Sequence, residues 1–461
     1  MALGGRPAPP RRGPMTVCVV GGGMLGITLA LDLARAGRRT LLVEAAERLG
    51  GLATDHDYGA FRWDRFYHCI LPGDVCLLGL LDEVGLSGEL VWRRSSTGFL
   101  GGGAVHPMNG PADLWRFPLL GPADKLRLAL TSLWAAKFAR PGRLERIPAS
   151  RWLRRLCGHR AYRVFWEPLL RAKFGVHADR VAAVFLWATL RRLAGARGST
   201  VSREQLGHVR GGYATILAAL RSALERAGVE VLTGTPVERI EPRDGGTGCR
   251  LRLAGRGAGT RDIDHVVFTA PSRLARRVCA PALAPRIDAW ERENPTARVY
   301  LGVLCQVLAL PERLTPHYVV NIGERNSELT GIIEMTNIVD PDEETAGWHL
   351  VYLPRYVDAD DPLFDVEDDA VSRLLLDRGL RRLFPDAPID AAAYRGVHRA
   401  RHVQPLPLAT DEPRPDPGPL ACEPPFQIVN TARLRCATLN NDEVVALARE
   451  AARAIAGGRA P

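Results

Sequence analysis

Apolar residues along this 461-residue chain change their spacing many times, and the changes predict strands alternating with helices. A β-branched run at 16–20 has the length of a buried parallel strand, 24–36 repeats its apolar positions at helical spacing, and 40–43 returns to a strand. Helical spacing recurs at 74–90 and dominates from 112 to 193. Between them, STGFLGGGAVHPMNGP reads as a β-hairpin turning at 101–103. The pattern then gives a helix at 214–227, a strand at 230–232, and a hairpin and strand parted by the glycine-rich turn 255–259. Runs at 298–310, 318–323, 329–339 and 348–357, joined by short turns, predict a largely antiparallel sheet. A helix at 366–384 follows, then a strand in RGVHRARHVQPLPLA, the proline-rich connector 411–425, and a final strand, loop and helix.

The implied class is α/β, with a largely parallel unit interleaved with an α+β unit made of antiparallel sheet and helices. Length suggests two or more domains, and 46% apolar content is ample for their cores. Residues 1–14, MALGGRPAPPRRGP, lack the apolar stretch of a signal peptide and read as a disordered leader. No run approaches the ~18 apolar residues of a spanning helix. The net charge of +10 comes mostly from arginines scattered along the chain, without an aromatic-basic motif, so nucleic acid is not an expected partner. Nine cysteines form no CxxC and no zinc spacing. Their odd number without a signal peptide fits reduced thiols and a cytoplasmic location. His398 and His402 are four apart, but Pro405 and Pro407 argue against the helix that a metal pair at that spacing needs, so no metal is expected. On a strand the two would share a face that could point at substrate.

The chemistry is concentrated in MTVCVVGGGMLGITLALDLARAGRRTLLVEAAERLGG, residues 15–51. Gly21, Gly23 and Gly26 form GxGxxG between a strand and a helix whose first turn holds Met24 and Leu25. The glycines let backbone approach a pyrophosphate, whose charge meets free amides at the positive end of the helix. Glu44, at the end of the second strand, is placed to accept from a ribose 2′-hydroxyl and would repel a 2′-phosphate. Gly50 and Gly51 follow Glu44 and Ala45 at a spacing that an ordinary NAD site does not use, with Arg48 between and Leu52 beyond.

With EAAERLGG in place, the chain resembles the flavin-dependent amine oxidase, protoporphyrinogen oxidase and phytoene desaturase superfamily. The resemblance implies noncovalent FAD, with the second glycine pair turned to its diphosphate and ribityl chain. It implies a flavin domain built from 15–85, 205–290 and 420–457, and a substrate and cap domain from 86–204 and 291–419. Val237 matches the valine that packs beside the adenine. Asn430-Thr431 stands where the family has Gly-Asp, leaving an asparagine for the ribityl hydroxyls, and Asn440, Asn441 and Asp442 cap the last helix with amides near the flavin. FWEPLLRAKFG resembles protoporphyrinogen-oxidase-like members, in which Lys173 would come towards the flavin edge, although a solvated lysine ahead of a helix break is the more ordinary reading.

Asp64 and His68, in the polar stretch DRFYH after the FAD loop, are the other catalytic candidates, His68 first; each is also consistent with a salt-linked turn. The expected function is an oxidoreductase removing hydride from a C–N, C–O or C–C bond of a small molecule, with oxygen or another acceptor reoxidising the flavin. Two alternatives are a mutase similar to UDP-galactopyranose mutase, which VHPMNGP and DRFYH resemble in outline, and a flavin-binding partner without turnover. In 114–140, Leu, Trp and Phe interleave with Arg and Lys, as in a substrate cap or, for a lipid- or sugar-linked substrate, a helix touching a membrane.

Overall fold

The structure, a computed structural model, describes residues 15–138, 141–195, 205–410, 418–434, 436, 438 and 440–457; the leader read at 1–14 lies outside them. At its centre is a five-stranded parallel sheet, in spatial order Phe426–Ile428, His265–Phe268, Thr16–Val20, Arg39–Val43 and Glu230–Leu232. Thr16–Val20 is buried on both faces, as a central parallel strand must be. Val17 and Val19 pack with the helices Met24–Arg35, Gly212–Arg226 and Asn441–Ile455, whereas Cys18 and Val20 pack on the other side with Leu251, Ile287 and Trp290.

The second sheet has seven strands, in the order Tyr394–Pro405, Tyr300–Leu310, His349–Asp358, Gly331–Glu334, Val319–Ile322, Thr97–Gly101 and Ala104–Pro107. It is antiparallel except where Val319–Ile322 runs parallel to Thr97–Gly101. Every residue of Tyr300–Leu310 is buried, because both faces are covered. Val303, Cys305 and Val307 meet Tyr58, Phe61, Trp63 and Phe66, and Leu304 and Leu308 meet Val371 and Leu375 of the Asp368–Leu375 helix. The α/β class expected from the sequence, a parallel unit interleaved with a mostly antiparallel sheet and a helical layer, is therefore the one adopted.

Residues 58–71 thus lie between the two sheets, and three contacts hold them there. The Asp64 carboxylate accepts the Tyr213 N–H at 2.7 Å, capping the Gly212–Arg226 helix. Its carbonyl accepts the hydroxyls of Tyr58, at 2.9 Å, and Tyr352, which belongs to the antiparallel sheet. Ile70 and Gly207 exchange backbone hydrogen bonds of 2.7 and 2.8 Å. That bridge adjoins the pairing of Leu90–Arg94 with Gln205–Val209, where the chain leaves for the helical layer and returns.

The helical layer comprises Pro111–Arg116, Pro122–Phe138, Pro141–Leu144, Ala149–Ala161, Glu167–Phe174 and Ala183–Gly195. Its core of Trp152, Leu153, Tyr162, Trp166 and Phe174 reaches the second sheet at Phe99 and Leu301. Among the described residues no helix is long and apolar enough to cross a membrane.

Strand and helix approach closest at Gly26, where an added Cβ would lie 1.8 Å from the Gly21 carbonyl oxygen. Both partners are backbone, so neither can swing aside. Gly26→Ala is expected to lower stability by about 3 kcal/mol or more, at the upper end of overpacking costs, measured as a fall in the urea midpoint at constant m.

Candidate active site

The turn that follows Thr16–Val20 is shaped for an anionic ligand. Gly23 caps the Met24–Arg35 helix without a side-chain acceptor, and the first turn contains no acid. No acid within the helix's own first turn therefore offsets its free amides and the positive end of its dipole. Gly50 donates its N–H to Gly22 O at 2.8 Å and bridges Gly23, which lays the second glycine pair beside the first. Gly23 itself has ordinary extended backbone, φ −74° and ψ 177°, and nothing lies within 4 Å of a Cβ built on it. The fold does not require glycine there. The turn is left with bare backbone on its open side.

The Glu44 carboxylate closes the same turn by accepting the N–H of Gly22 at 2.5 Å and of Ala46 at 2.8 Å. Ala45 is exposed and Leu52 half-buried. Arg48 is turned away, to Asp55, a carboxylate it shares with Arg62. Thr235 N–H bonds the Glu44 carbonyl at 2.9 Å, which carries Val237, half-buried in the cluster of Val20 and Val43, to this end of the sheet.

On the far side of the turn the Asn430 side chain is taken up by backbone: Oδ1 accepts the Ala432 N–H at 3.0 Å and Nδ2 donates to the Ala270 carbonyl at 2.9 Å. Asn440 caps the C-terminal helix by accepting the Glu443 N–H at 2.8 Å, and Asn441 Nδ2 donates to the Tyr213 hydroxyl at 2.7 Å. Asp442 instead reaches the Val75–Glu83 helix, where it accepts the N–H groups of Cys76 and Leu77 at 2.7 and 2.9 Å.

Two adjacent residues link this face to the helical layer. The His68 ring packs on Tyr213 with centroids 4.6 Å apart, and its Nδ1 lies 3.5 Å from Asp64 Oδ2 without making a hydrogen bond. Asp64, His68 and Asn441 are thereby gathered around Tyr213. The neighbouring Tyr67 hydroxyl meets the Tyr356 hydroxyl at 3.0 Å, and the Lys173 ammonium sits 4.9 Å above the Tyr356 ring and 5.6 Å above Phe185. Burial lowers Lys173 to about 8 and raises the Tyr356 phenol to about 12. No carboxylate lies in ion-pair range of Lys173 among the described residues. Tyr67, Tyr213, Tyr356 and Phe185 were not among the residues singled out in sequence for catalysis, and no local motif marks them.

His398 and His402 do not share a face. A bulge, seen as the register shift between Leu301 and Val303 opposite, separates them. His398 packs with His56, Tyr58 and Phe66, where burial first and then His56 and the nearby Arg65 guanidinium lower its pKa to about 3, while His402 packs on Tyr300. No group of three or more potential metal ligands occurs among the described residues.

A glycine turn after a parallel strand, a second glycine pair laid against it and an interleaved antiparallel sheet are the arrangement of a dinucleotide-binding flavoprotein fold. More narrowly, the chain belongs to the flavin containing amine oxidoreductase family, whose model matches residues 25–427. In sequence it is 24% identical over 301 residues to a Mycobacterium tuberculosis protein named for flavin-containing monoamine oxidase, covering 61% of this chain and 63% of that protein. The chain spans less than two thirds of the length of the first curated relatives it matches. Among solved structures it resembles one from Exiguobacterium sp. 255-15 named for protoporphyrinogen oxidase, with TM-score 0.72, 19% identity, and coverage of 97% and 100% of the two chains. Reduced UDP-galactopyranose mutase matches with TM-score 0.68, 14% identity, and coverage of 96% and 95%. These structures share the fold.

The cofactor is FAD, which supplies a two-electron acceptor when bound. Gly23→Val is expected to leave the unfolding temperature of the flavin-free chain within about 2 °C, since its side chain enters open space, yet to abolish FAD binding, read from the flavin absorbance of the purified protein. Lys173 gives a pH test. Its folded pKa of about 8 lies below the ordinary 10.5, so between those values the unfolded chain holds a proton the folded one lacks, and stability rises with pH. Lys173→Met should therefore unfold at higher temperature than the parent below about pH 8, with the gap closing by 10.5.

Proposed function

We propose that the chain removes a hydride from a C–N, C–O or C–C bond of a small molecule held between the flavin and the wall formed by Tyr67, Tyr356, Phe185 and Lys173. The observation that carries the reading is Lys173: a cation over two ring faces, without a carboxylate to neutralise it among the described residues. Aromatic walls favour a flat or aliphatic substrate body and keep water from the reacting bond. The lysine, close to its own pKa near neutrality, can hold a polar end of the substrate or take a proton from it.

His68 and Asp64 fit supporting parts. Asp64 fixes the helix end that carries Tyr213, and His68 lies on the tyrosine, so the pair sets the position of the 64–68 segment beneath the substrate. Glu44 is offered for the ribose, the first-helix amides of Met24 and Leu25 for the diphosphate, and Asn441 for the flavin side of Tyr213. A mutase would instead hold a nucleotide diphosphate with paired arginines.

The test is anaerobic stopped-flow mixing of oxidised enzyme with amines, alcohols and cyclic alkenes. Bleaching of the flavin by one class, slowed at least about tenfold by Lys173→Met, is the expected outcome. Turnover only after prior reduction with dithionite, with substrate oxidation level unchanged, would sink the proposal in favour of a mutase. Denaturing the yellow protein is expected to release free FAD into solution; flavin remaining on the chain would contradict noncovalent binding.

A further inference from the structure

The positive charge of this protein is not spread evenly. Residues 111–195, the helical layer, contain seventeen Lys and Arg against five Asp and Glu, a net +12; with +10 for the whole chain, everything else is net −2. The same layer exposes its apolar residues. Of six large hydrophobic side chains exposed among the described residues, four are Trp115, Leu126, Leu130 and Trp134, at 62, 57, 55 and 42%.

Three of these four follow one another at four-residue steps on the Pro122–Phe138 helix, so they form one stripe. Trp115 lies in the helix before it and is joined to it by Lys125, whose ammonium donates to the Trp115 carbonyl at 2.6 Å and lies 5.9 Å from its ring. The opposite face of the helix is already used, since Leu128 and Thr131 are buried against the layer's core. The helix is therefore apolar on both sides with only one side covered, and a contiguous exposed stripe of this kind marks an interaction surface.

What surrounds the stripe identifies the partner. Arg116 and Arg127 are exposed beside it, and the Ala149–Ala161 helix, which packs on the Pro122–Phe138 helix, presents Arg155 and Arg160. The nearby acids are engaged: Asp124 lies 3.6 Å from Arg160, and Asp113 accepts both the backbone N–H and the side-chain amide of Asn109. Tryptophan and leucine rimmed by arginine is the composition of a surface that enters the headgroup layer of an anionic bilayer. Nucleic acid would meet the arginines but leave the leucines in water. At 17 residues the helix is too short to span a bilayer, so it would lie in the plane of the interface.

We propose that the Trp115 turn and the outer face of the Pro122–Phe138 helix dock this enzyme on an anionic lipid surface, with the arginines of the layer facing the phosphates. The docking places the helical cap, and with it the Lys173 wall, at the lipid side of the molecule. The surface itself is independent of which substrate the flavin oxidises.

Flotation of the FAD-loaded full chain with vesicles tests this. Expected are partition onto vesicles of phosphatidylcholine and phosphatidylglycerol in equal parts, little onto phosphatidylcholine alone, and a remainder that survives high salt because the apolar part is not screened. The triple variant Trp115→Ser, Leu130→Ser, Trp134→Ser should bind the anionic vesicles at least about tenfold more weakly while keeping its flavin spectrum and unfolding temperature. Should it fail to fold, the pair Arg116→Glu and Arg127→Glu decides, by losing the preference for anionic over neutral vesicles. The proposal is overturned by wild-type protein that ignores anionic vesicles, by protein that leaves them for double-stranded DNA added in competition, or by a folded triple or charge-reversed variant that binds as the wild type does.

Discussion

The Asp64 carboxylate, on the Tyr213 amide, is the contact on which the site depends. A buried helix terminus needs an acceptor, and this one comes from a different layer. The helix can come so close because Gly212 has φ +66° and no side chain; a Cβ there would lie 2.7 Å from Asp64 Oδ1. Through its carbonyl the same residue collects Tyr58 and Tyr352, so one amino acid joins the helix beside the cofactor turn to the middle of the antiparallel sheet. Tyr67 and His68 follow within four residues, and their positions are consequences of that anchor.

This anchoring explains why a discontinuous chain makes one site. The cofactor turn comes from residues near 20–50, the helix carrying Tyr213 from beyond 210, and the last helix from beyond 440. Parallel strands can be contributed from distant parts of a chain only when long crossovers connect them, and here the crossovers are the helical layer and the second sheet. Asp442 adds a further tie: by capping the Val75–Glu83 helix it binds the last helix to the start of the first excursion. The two sheets and the helices between them are consequently held together by backbone amides and buried carboxylates.

Features encoded within a few residues were legible in the sequence. The strand at 16–20, the helix after it, GxGxxG and the second glycine pair are set by local spacing and by close backbone approach. The hairpin turning at 101–103 and the Asn440 cap are likewise local. What escaped depends on contacts between remote residues. Tyr67 meets Tyr356 across 289 positions, and no periodicity announces such a meeting. The bulge that parts His398 from His402 inserts residues without a glycine or proline to mark it. The backbone bonds that fix both ends of the Asn430 side chain come from the surrounding loops.

Asp64, as an acceptor, locks the Gly212–Arg226 helix and its parallel sheet to the antiparallel sheet. Asparagine can replace it in that role and alanine cannot. Following flavin fluorescence during a thermal ramp gives the temperature at which each protein lets go of FAD. The account predicts release from Asp64→Ala well below the parent, by several degrees for a buried cap of about 1–2 kcal/mol, and from Asp64→Asn close to it. Flavin retained by Asp64→Ala to the parental temperature would contradict it.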